Sequence, residues 1–159
     1  MYIFDTVSLI HAYWDDFPPK GKGNTFWKWF DSIGMLEGIV IPEKVFEELD
    51  KKTDGLSDFL KTLPNIKSVA TINCLNSLGK VLKEYGRLSD IDLERLEAKA
   101  DPYLIAHGLV LKSVVVSSER SEPTRLGINK KIPDICHSLN IDFESYPAFL
   151  WRMRKLYPD

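Results

Sequence analysis

The sequence predicts an α/β fold: a three-layer α/β/α sandwich around a central, mainly parallel sheet of about five strands. Two observations support this prediction. Short, almost wholly apolar segments that favour β-structure alternate with longer segments in which apolar residues recur at helical spacing. Strands this apolar are typical of a parallel sheet that helices cover on both faces. The length of 159 residues suits one such unit, so residues 1–159 are expected to form a single domain.

The predicted strands differ in the strength of their signal. Residues 2–4, 38–41 and 114–116 are short and apolar enough to be buried on both faces, and the last of them is expected to be central. Weaker signals predict strands at residues 67–70 and 141–146.

Helical spacing predicts the segments between the strands. Phe26, Phe30 and Ile33 indicate a helix that ends at Gly34 and Gly38. A second helix is opened by Pro42, since proline suits a helix start. Further helices are predicted at residues 56–63, 75–85, 90–99 and 103–111, and the Pro- and Gly-rich segment 17–23 is predicted to be a loop.

Two aromatic-rich segments have alternative interpretations. Residues 26–30 interleave aromatic side chains with Lys28, as in platforms that stack nucleic-acid bases, but helical spacing favours a core-facing stripe with Lys28 in water. Residues 147–159 are expected to form a C-terminal helical tail with one apolar face. That face is expected to pack on its own domain, with a homodimer or partner-protein interface as the alternative.

Composition narrows the functional class. The net charge of -2 provides no global basic field for nucleic acid, which counts against a passive coat protein. Cys74 and Cys136 are too few for a disulfide framework and are expected to be buried thiols. We expect a cytoplasmic protein without a membrane span, because no apolar run approaches the length that crosses a bilayer and the first residues do not form a signal peptide.

Four acidic residues are placed where the predicted fold brings them to one edge of the sheet. Asp5 ends the first strand and Glu119 lies just past the strand at 114–116. Glu48 shares a helical face with Val45, and Asp101 precedes Pro102. Ligands of parallel sheets gather outside the carboxyl ends of the strands, which is where these acids are expected.

Each acid alone also has a purely structural interpretation. Asp101 has the sequence context of a helix N-cap, Asp5 that of a strand-end turn residue, and Glu48 that of a solvated helix charge. Glu119 fits an exposed polar loop. The joint pattern is what favours a functional site, since clustered carboxylates without Cys or His partners suit Mg²⁺ or Mn²⁺, ions used in phosphodiester chemistry. Such crowding is expected to raise carboxyl pKa values in the absence of metal.

Other chemistries lack their motifs. The sequence contains no phosphate-binding G-x-x-x-x-G-K-[ST], no G-x-G-x-x-G and no G-x-S-x-G. The three histidines are scattered, which disfavours zinc. An aspartyl-phosphate phosphatase would need a second Asp two positions after Asp5, where this chain has Val7.

The four acidic segments, in this order, resemble the PIN domain, the fold of the VapC-like ribonuclease toxins. The matching segments are residues 3–10, 45–49, 100–106 and 115–119. Residues 131–136, Lys-Ile-Pro-Asp-Ile-Cys, resemble a PIN-like branch long carried as a domain of unknown function. Many PIN proteins have Thr-x-Asp where this chain has Ser117-Ser118-Glu119, so the fourth acid departs from the pattern.

The resemblance implies a catalytic site and a biological role. Asp5, Glu48 and Asp101 would be the core ligands of one or two Mg²⁺ or Mn²⁺ ions, with Glu119 as a less constant fourth; Glu47 is the alternative if the register shifts by one. The implied activity is a metal-dependent endoribonuclease that leaves 5′-phosphate and 3′-hydroxyl ends. The implied role is the toxin of a type II toxin–antitoxin module, with RNA as substrate and a cognate antitoxin as partner.

Neighbouring polar residues are expected to assist. Hydroxyls of Thr6, Ser8 and Ser117 are candidates to orient ligands or water, although such hydroxyls often only satisfy backbone groups. Arg120, Arg125, Lys130 and Lys131 are candidates to hold substrate phosphates, with an ordinary solvated loop as the alternative.

Two other functions remain open at the level of sequence. The chain could be a catalytically inactive PIN-like scaffold or nucleic-acid-binding module, which would hold RNA without a divalent ion. It could also be a DNA structure-specific nuclease, which would use the same residues on a different substrate.

Overall fold

A computed structural model describes residues 1–21, 23–53 and 55–158 of the chain. Lys22, in the predicted loop, Asp54, and Asp159, at the end of the predicted domain and tail, lie outside the described residues. Within the described part, five strands form one sheet in which every pairing is parallel. Helices flank the sheet, so the predicted three-layer α/β/α fold is confirmed.

The strands are short and lie in the order β3-β2-β1-β4-β5. Their bounds are β1 Tyr2–Phe4, β2 Ile39–Pro42, β3 Ile66–Val69, β4 Val114–Ser117 and β5 Phe143–Ser145. In register, Tyr2 lies between Ile39 and Val114 of the neighbouring strands. The sheet interior therefore consists of the segments with the strongest apolar signal, and β4 is a central strand as predicted.

Helices lie between successive strands along the chain, as in a layered α/β fold. The α-helices are α1 Thr6–Ile10, α2 Gly23–Glu37, α3 Glu43–Lys52, α4 Leu56–Lys61, α5 Leu75–Glu84, α6 Asp90–Glu97, α7 Asp101–Leu111, α8 Ile132–Ser138 and α9 Tyr146–Leu156. A π-helical segment, His11–Asp16, continues α1, and short 3₁₀ turns occupy Thr71–Cys74 and Gly127–Asn129.

Alternation along the strands shows which helices cover which face. Val115 of β4 lies against Gly108 of α7, where an added Cβ would come within 2.7 Å of the valine side chain. Phe4 of β1 makes edge contacts with Phe30 of α2 and Phe149 of α9. Because Phe4 pairs with Val116, the residue after Val115, the two sets of helices lie on opposite faces.

The aromatic stripe of α2 belongs to the core. Phe26, Trp27, Trp29 and Phe30 are buried while Lys28 is exposed, so the core-facing interpretation of residues 26–30 is confirmed. On α9, Phe149 and Met153 are buried against the same layer. Trp29 Nε1 donates to the backbone oxygen of Tyr157 at 2.7 Å, which ties the C-terminal segment to α2.

Several predicted boundaries need correction. Helix α2 continues to Glu37, so it ends directly before Gly38 as predicted, whereas Gly34 does not end it and is buried inside it. A Cβ on Gly34 would approach the Asn65 backbone oxygen to 2.7 Å, so the glycine allows close packing rather than helix termination. The predicted strand 141–146 is shorter, since Tyr146 already begins α9. Helices α1 and α8 were not predicted.

Smaller expectations are also settled. Cys74 and Cys136 are free and buried, as expected. The described helices include none that combines the length and apolar character required to cross a bilayer.

Candidate metal centre

The four candidate acids line one pocket at the carboxyl edge of the sheet, with a cavity of about 450 Å³. Each comes from a different element: Asp5 follows β1, Glu48 lies in α3, Asp101 begins α7, and Glu119 follows β4. The chain runs from β1 to β2 and β3 on one side and returns to β4 on the other. The adjacent ends of β1 and β4 thus form a topological switch point, where parallel sheets usually bind ligands.

Asp5 is the most buried and most fully bonded of the four, with 2% of its surface exposed. Its Oδ1 accepts a hydrogen bond from the Ser8 backbone N–H at 2.9 Å, and its Oδ2 accepts one from Ser117 Oγ at 2.6 Å. It therefore caps α1, so the structural interpretation applies as well. Burial raises the pKa of Asp5 despite the opposing hydrogen bonds from Ser117 and Ser8.

Asp101 lies at the start of α7 and has a raised pKa. It is the first residue of α7, and Ala100 occupies the N-cap position, so the N-cap interpretation of Asp101 is wrong. Burial raises its pKa to about 7, and the negative charges of Glu119, Glu48 and Asp5 add to the shift. The rise expected from crowding is confirmed for Asp5 and Asp101, but burial is its larger cause.

Glu48 connects two helices at the pocket. Its Oε2 accepts a hydrogen bond from the Ala100 backbone N–H at 3.0 Å, and its Oε1 pairs with Lys52 one turn further along α3. Glu47 instead has 47% of its side chain exposed, pairs with Lys44 and does not line the pocket. The geometry therefore favours Glu48 over Glu47 as the site residue.

Glu119 reaches the pocket from the loop after β4. Its Oε2 accepts a hydrogen bond from the Ile132 backbone N–H at 2.8 Å, and its Oε1 lies 3.6 Å from Lys131 Nζ. Its own backbone N–H donates to Ser117 Oγ at 3.0 Å. Ser117 thus contacts Asp5 and Glu119 at once, which holds two of the acids in a fixed relation.

The other predicted hydroxyls are placed differently. Ser8 contacts Asp5 through its backbone, while its Oγ lies 3.0 Å from Ser118 Oγ. Thr6 lines the pocket, but its Oγ1 is buried and has no hydrogen-bond partner among the described residues. Ser117 donates its hydroxyl to a candidate ligand at 2.6 Å, and the Ser8 side chain also helps to lower the pKa of Asp5 against the effect of burial.

The four predicted phosphate contacts are dispersed. Lys131 faces Glu119. Arg120, the residue after Glu119, is exposed. Arg125 pairs with Glu122, and Lys130 Nζ donates to the Glu84 backbone oxygen at 2.6 Å. Arg125 and Lys130 line a different cavity from the acids.

The lysines at the pocket were missed by sequence reasoning. Lys51, Lys52 and Lys99 line it together with the acids. For Lys52 a signal exists, because it lies four residues after Glu48 on α3 and residues at that spacing are neighbours on a helix. Lys99 precedes α7 and has no comparable signal.

The carboxylates of the four acids can be compared with what a divalent cation requires. Among the described residues, no three or more His, Cys, Asp or Glu side chains are arranged to hold an ion as they stand. The reason is visible in Glu48 and Glu119, whose oxygens face lysines and backbone N–H groups. The chemistry nevertheless fits, since all four acids offer hard oxygen donors, and burial together with the neighbouring acids raises the pKa of Asp101, whose charged form a bound cation would stabilise.

Comparison with known proteins gives one family. The model of a family described as a domain of unknown function (DUF4411) matches residues 2–155. A search of the curated proteins returns no match, and a search of the solved structures returns none either.

Proposed function

The chain belongs to the family described as a domain of unknown function, DUF4411, and we propose that this member is a metal-dependent endoribonuclease. One observation carries the proposal. Carboxylates from four separate elements line a single pocket at the switch point of the sheet, and the pKa of Asp101 is raised to about 7 by burial and by the other three acids. Isolated helix caps or surface acids would not share one cavity.

In this proposal Asp5, Glu48, Asp101 and Glu119 hold Mg²⁺ or Mn²⁺. A cation bound there supplies positive charge next to the phosphate oxygens that become more negative as a phosphodiester is hydrolysed. Ser117 orients the Asp5 carboxylate through its 2.6 Å hydrogen bond and fixes the backbone of Glu119. Asp5 and Asp101 would both gain from a bound cation, since burial disfavours their charged forms in the pocket.

Lys52, which lines the pocket, and Lys131, which faces Glu119, have a role in the same proposal. Lys52 and Lys131 neutralise Glu48 and Glu119 in the structure described here. With a cation held by these acids, both lysines would be available to contact the phosphates of an RNA strand. This local positive charge compensates for a net charge of only -2.

The wider biology follows from the PIN resemblance. We place the reaction in the cytoplasm and propose that the chain is the toxin of a type II toxin–antitoxin pair, with RNA as substrate and an antitoxin as partner. Two features support the relationship: the order of the four acidic segments and their positions at the ends of a parallel sheet. A homodimer is a further possible assembly.

One observation favours a second candidate, a PIN-like scaffold or nucleic-acid-binding module without catalysis. The acids are balanced by lysines and backbone N–H groups, and the described side chains form no ready cage for an ion. A protein of this kind would bind RNA equally well in EDTA.

Cleavage assays separate these functions. Purified protein is incubated with labelled RNA pools and matching single-stranded DNA in Mn²⁺, Mg²⁺ or EDTA, with Asp101→Asn as the test variant and Asp58→Asn, exposed on α4, as its matched control. We expect metal-dependent cutting of RNA that is lost only in Asp101→Asn. Cutting of DNA alone would indicate a DNA nuclease, and RNA binding in EDTA without any cutting would indicate the binding module.

A further inference from the structure

A second cavity of about 780 Å³ adjoins the acidic pocket, and Glu119 belongs to the walls of both. Its other walls are the π-helical segment, Ser118 and Arg120 of the loop after β4, and the start of α9. Its size lies within the range of about 300–1,000 Å³ typical of ligand sites. A polymer lying across the acidic pocket therefore has a second place to insert a group beside the proposed cleavage point.

The π-helical wall is an unusual element. The Phe17 backbone N–H donates to the Ala12 oxygen at 2.8 Å, the i to i+5 bond that defines the π-helix. The wider turn brings His11, Asp15 and Asp16 to the same cavity. Such segments are frequent at functional sites, so this wall is itself a reason to look for a ligand.

The polar groups of the cavity are available for binding. Asp15 and Arg120 are exposed, and in the described part of the chain neither has a hydrogen-bond or ion-pair partner. Tyr146, only 5% exposed, lines the cavity; its buried hydroxyl faces the Asp16 carboxylate, which helps to raise the Tyr146 pKa after burial, but it forms no hydrogen bond of good geometry with a described residue. A buried hydroxyl without a partner is costly, and a ligand in the cavity would satisfy it.

Leu150 and Phe17 supply the apolar surface of the same cavity. The combination of an aromatic and aliphatic surface, carboxylate acceptors and one arginine is suited to a nucleotide. The base has an apolar ring and a polar edge, and its phosphate carries the charge that Arg120 would meet.

We propose that this second cavity binds one unstacked nucleotide of single-stranded RNA, next to the phosphodiester that is cut in the acidic pocket. The inference rests on the proposed ribonuclease function, since it assigns a subsite to that substrate. Asp15 and Asp16 accept hydrogen bonds from the base edge, and Arg120 contacts the adjoining phosphate.

The acceptors also set a base preference. A carboxylate accepts hydrogen bonds and cannot donate them when ionised, so it favours bases with amino groups. Guanine presents two neighbouring donors that match one carboxylate, adenine and cytosine present one amino group, and uracil presents a single N–H between two carbonyls. The order of preference is therefore guanine first and uracil last.

The test measures nucleotide binding without cleavage. Amide NMR spectra of the protein in EDTA are recorded during titration with each of the four nucleoside 5′-monophosphates. We expect shifts at residues 11–17 and 145–150, with GMP binding at least roughly tenfold more tightly than UMP, because charge-assisted hydrogen bonds distinguish them. The double variant Asp15→Asn with Asp16→Asn should lose this preference, and Asp58→Asn should keep it.

A second variant tests the cavity itself. Leu150→Trp, whose larger ring fills the space, should weaken all four nucleotides while circular dichroism shows an intact fold. Absence of shifts around the cavity, or a GMP preference that survives both aspartate substitutions, would overturn the inference. Because the titration needs neither metal nor cutting, nucleotide binding here together with failed cleavage would reject only the ribonuclease, and cleavage without binding would reject only this subsite.

Discussion

Asp101 is a residue at which burial and charge conflict. The ordinary pKa of an aspartate carboxyl is 3.8. For Asp101, burial together with three acidic neighbours raises the pKa to about 7. The folded protein therefore retains a proton on Asp101 at pH values where the unfolded chain has released it. Stability present at low pH is lost as the pH rises toward 7.

Replacement of Asp101 by Asn should remove this pH dependence. We expect the variant to exceed the metal-free native protein in stability at pH 8 by on the order of 2 kcal/mol, allowing for solvent screening, and by much less at pH 4.5. Urea denaturation in EDTA at both pH values measures the difference. An equal difference at the two pH values would show that Asp101 is not held in an unfavourable charged state.

Ser117 supports two acids through one hydroxyl. Ser117→Ala removes the donor to Asp5 and the acceptor for the Glu119 N–H, so we expect a loss of about 1–3 kcal/mol in unfolding free energy. Ser113, which is also buried, precedes the same strand, and its hydroxyl has no hydrogen-bond partner among the described residues.

Ser113→Ala is therefore a matched control and should change the unfolding free energy little. The two variants are compared by denaturant titration. A similar loss of stability in both would mean that the contacts of Ser117 with Asp5 and Glu119 contribute nothing specific.

The four acids of the pocket also show the limit of sequence reasoning at the scale of residues. The sequence indicated Asp5, Glu48, Asp101 and Glu119 as a group because each follows a recognisable strand or helix signal. The bond from the Ile132 N–H to Glu119 was not indicated, because it joins separate parts of the packed fold, whereas the pair of Lys52 with Glu48 has a helical-spacing signal that was missed.

At the scale of elements, Glu48 links α3 to the start of α7. Its bond to the Ala100 N–H satisfies a backbone donor that the beginning of a helix leaves open. The same carboxylate lines the acidic pocket, so the position of Asp101 depends on a contact between two helices.

Glu48→Gln and Glu47→Gln form a matched pair on α3. Both variants remove one charge, but only Glu48 lines the pocket. We expect Glu48→Gln to abolish metal-dependent RNA cleavage with less than about 1 kcal/mol of lost stability, since the amide oxygen can still accept from Ala100. Glu47→Gln should cleave at the native rate. The reverse pattern would move the ligand to Glu47.

Strands and helices with a regular spacing of apolar residues were predictable from the sequence. Helices α1 and α8 were not predicted. The apolar runs of β1, β2 and β4 and the spacing of the longer helices appear directly in the sequence. Helices α1, of five residues, and α8, of seven, were missed, whereas α4, of six residues, was predicted, so shortness alone does not explain the difference. The π-helical segment follows neither the helix nor the strand period, so it could not be predicted from pattern.

At the scale of the whole molecule, the strand order decides where function resides. With β1 between β2 and β4, the ends of three neighbouring strands lie at one edge of the sheet. The strand order extends from β1 through β2 to β3 on one side and from β4 to β5 on the other, so it changes direction between β1 and β4. The sequence predicted a mainly parallel sheet and its number of strands. It could not supply the order, because the order depends on how the helices cross the sheet.

Direct binding of Mn²⁺ tests the central claim, that the acidic pocket is a divalent metal site. Titration calorimetry at pH 7, in buffers of different ionisation enthalpy, compares the native protein with Asp101→Asn and with the surface control Asp58→Asn. We predict that the native protein and the control bind one or two ions and release protons, because Asp101 must lose its proton to act as a ligand. Asp101→Asn should bind far more weakly. Absence of Mn²⁺ binding to the native protein, or equal binding by Asp101→Asn, would contradict the account.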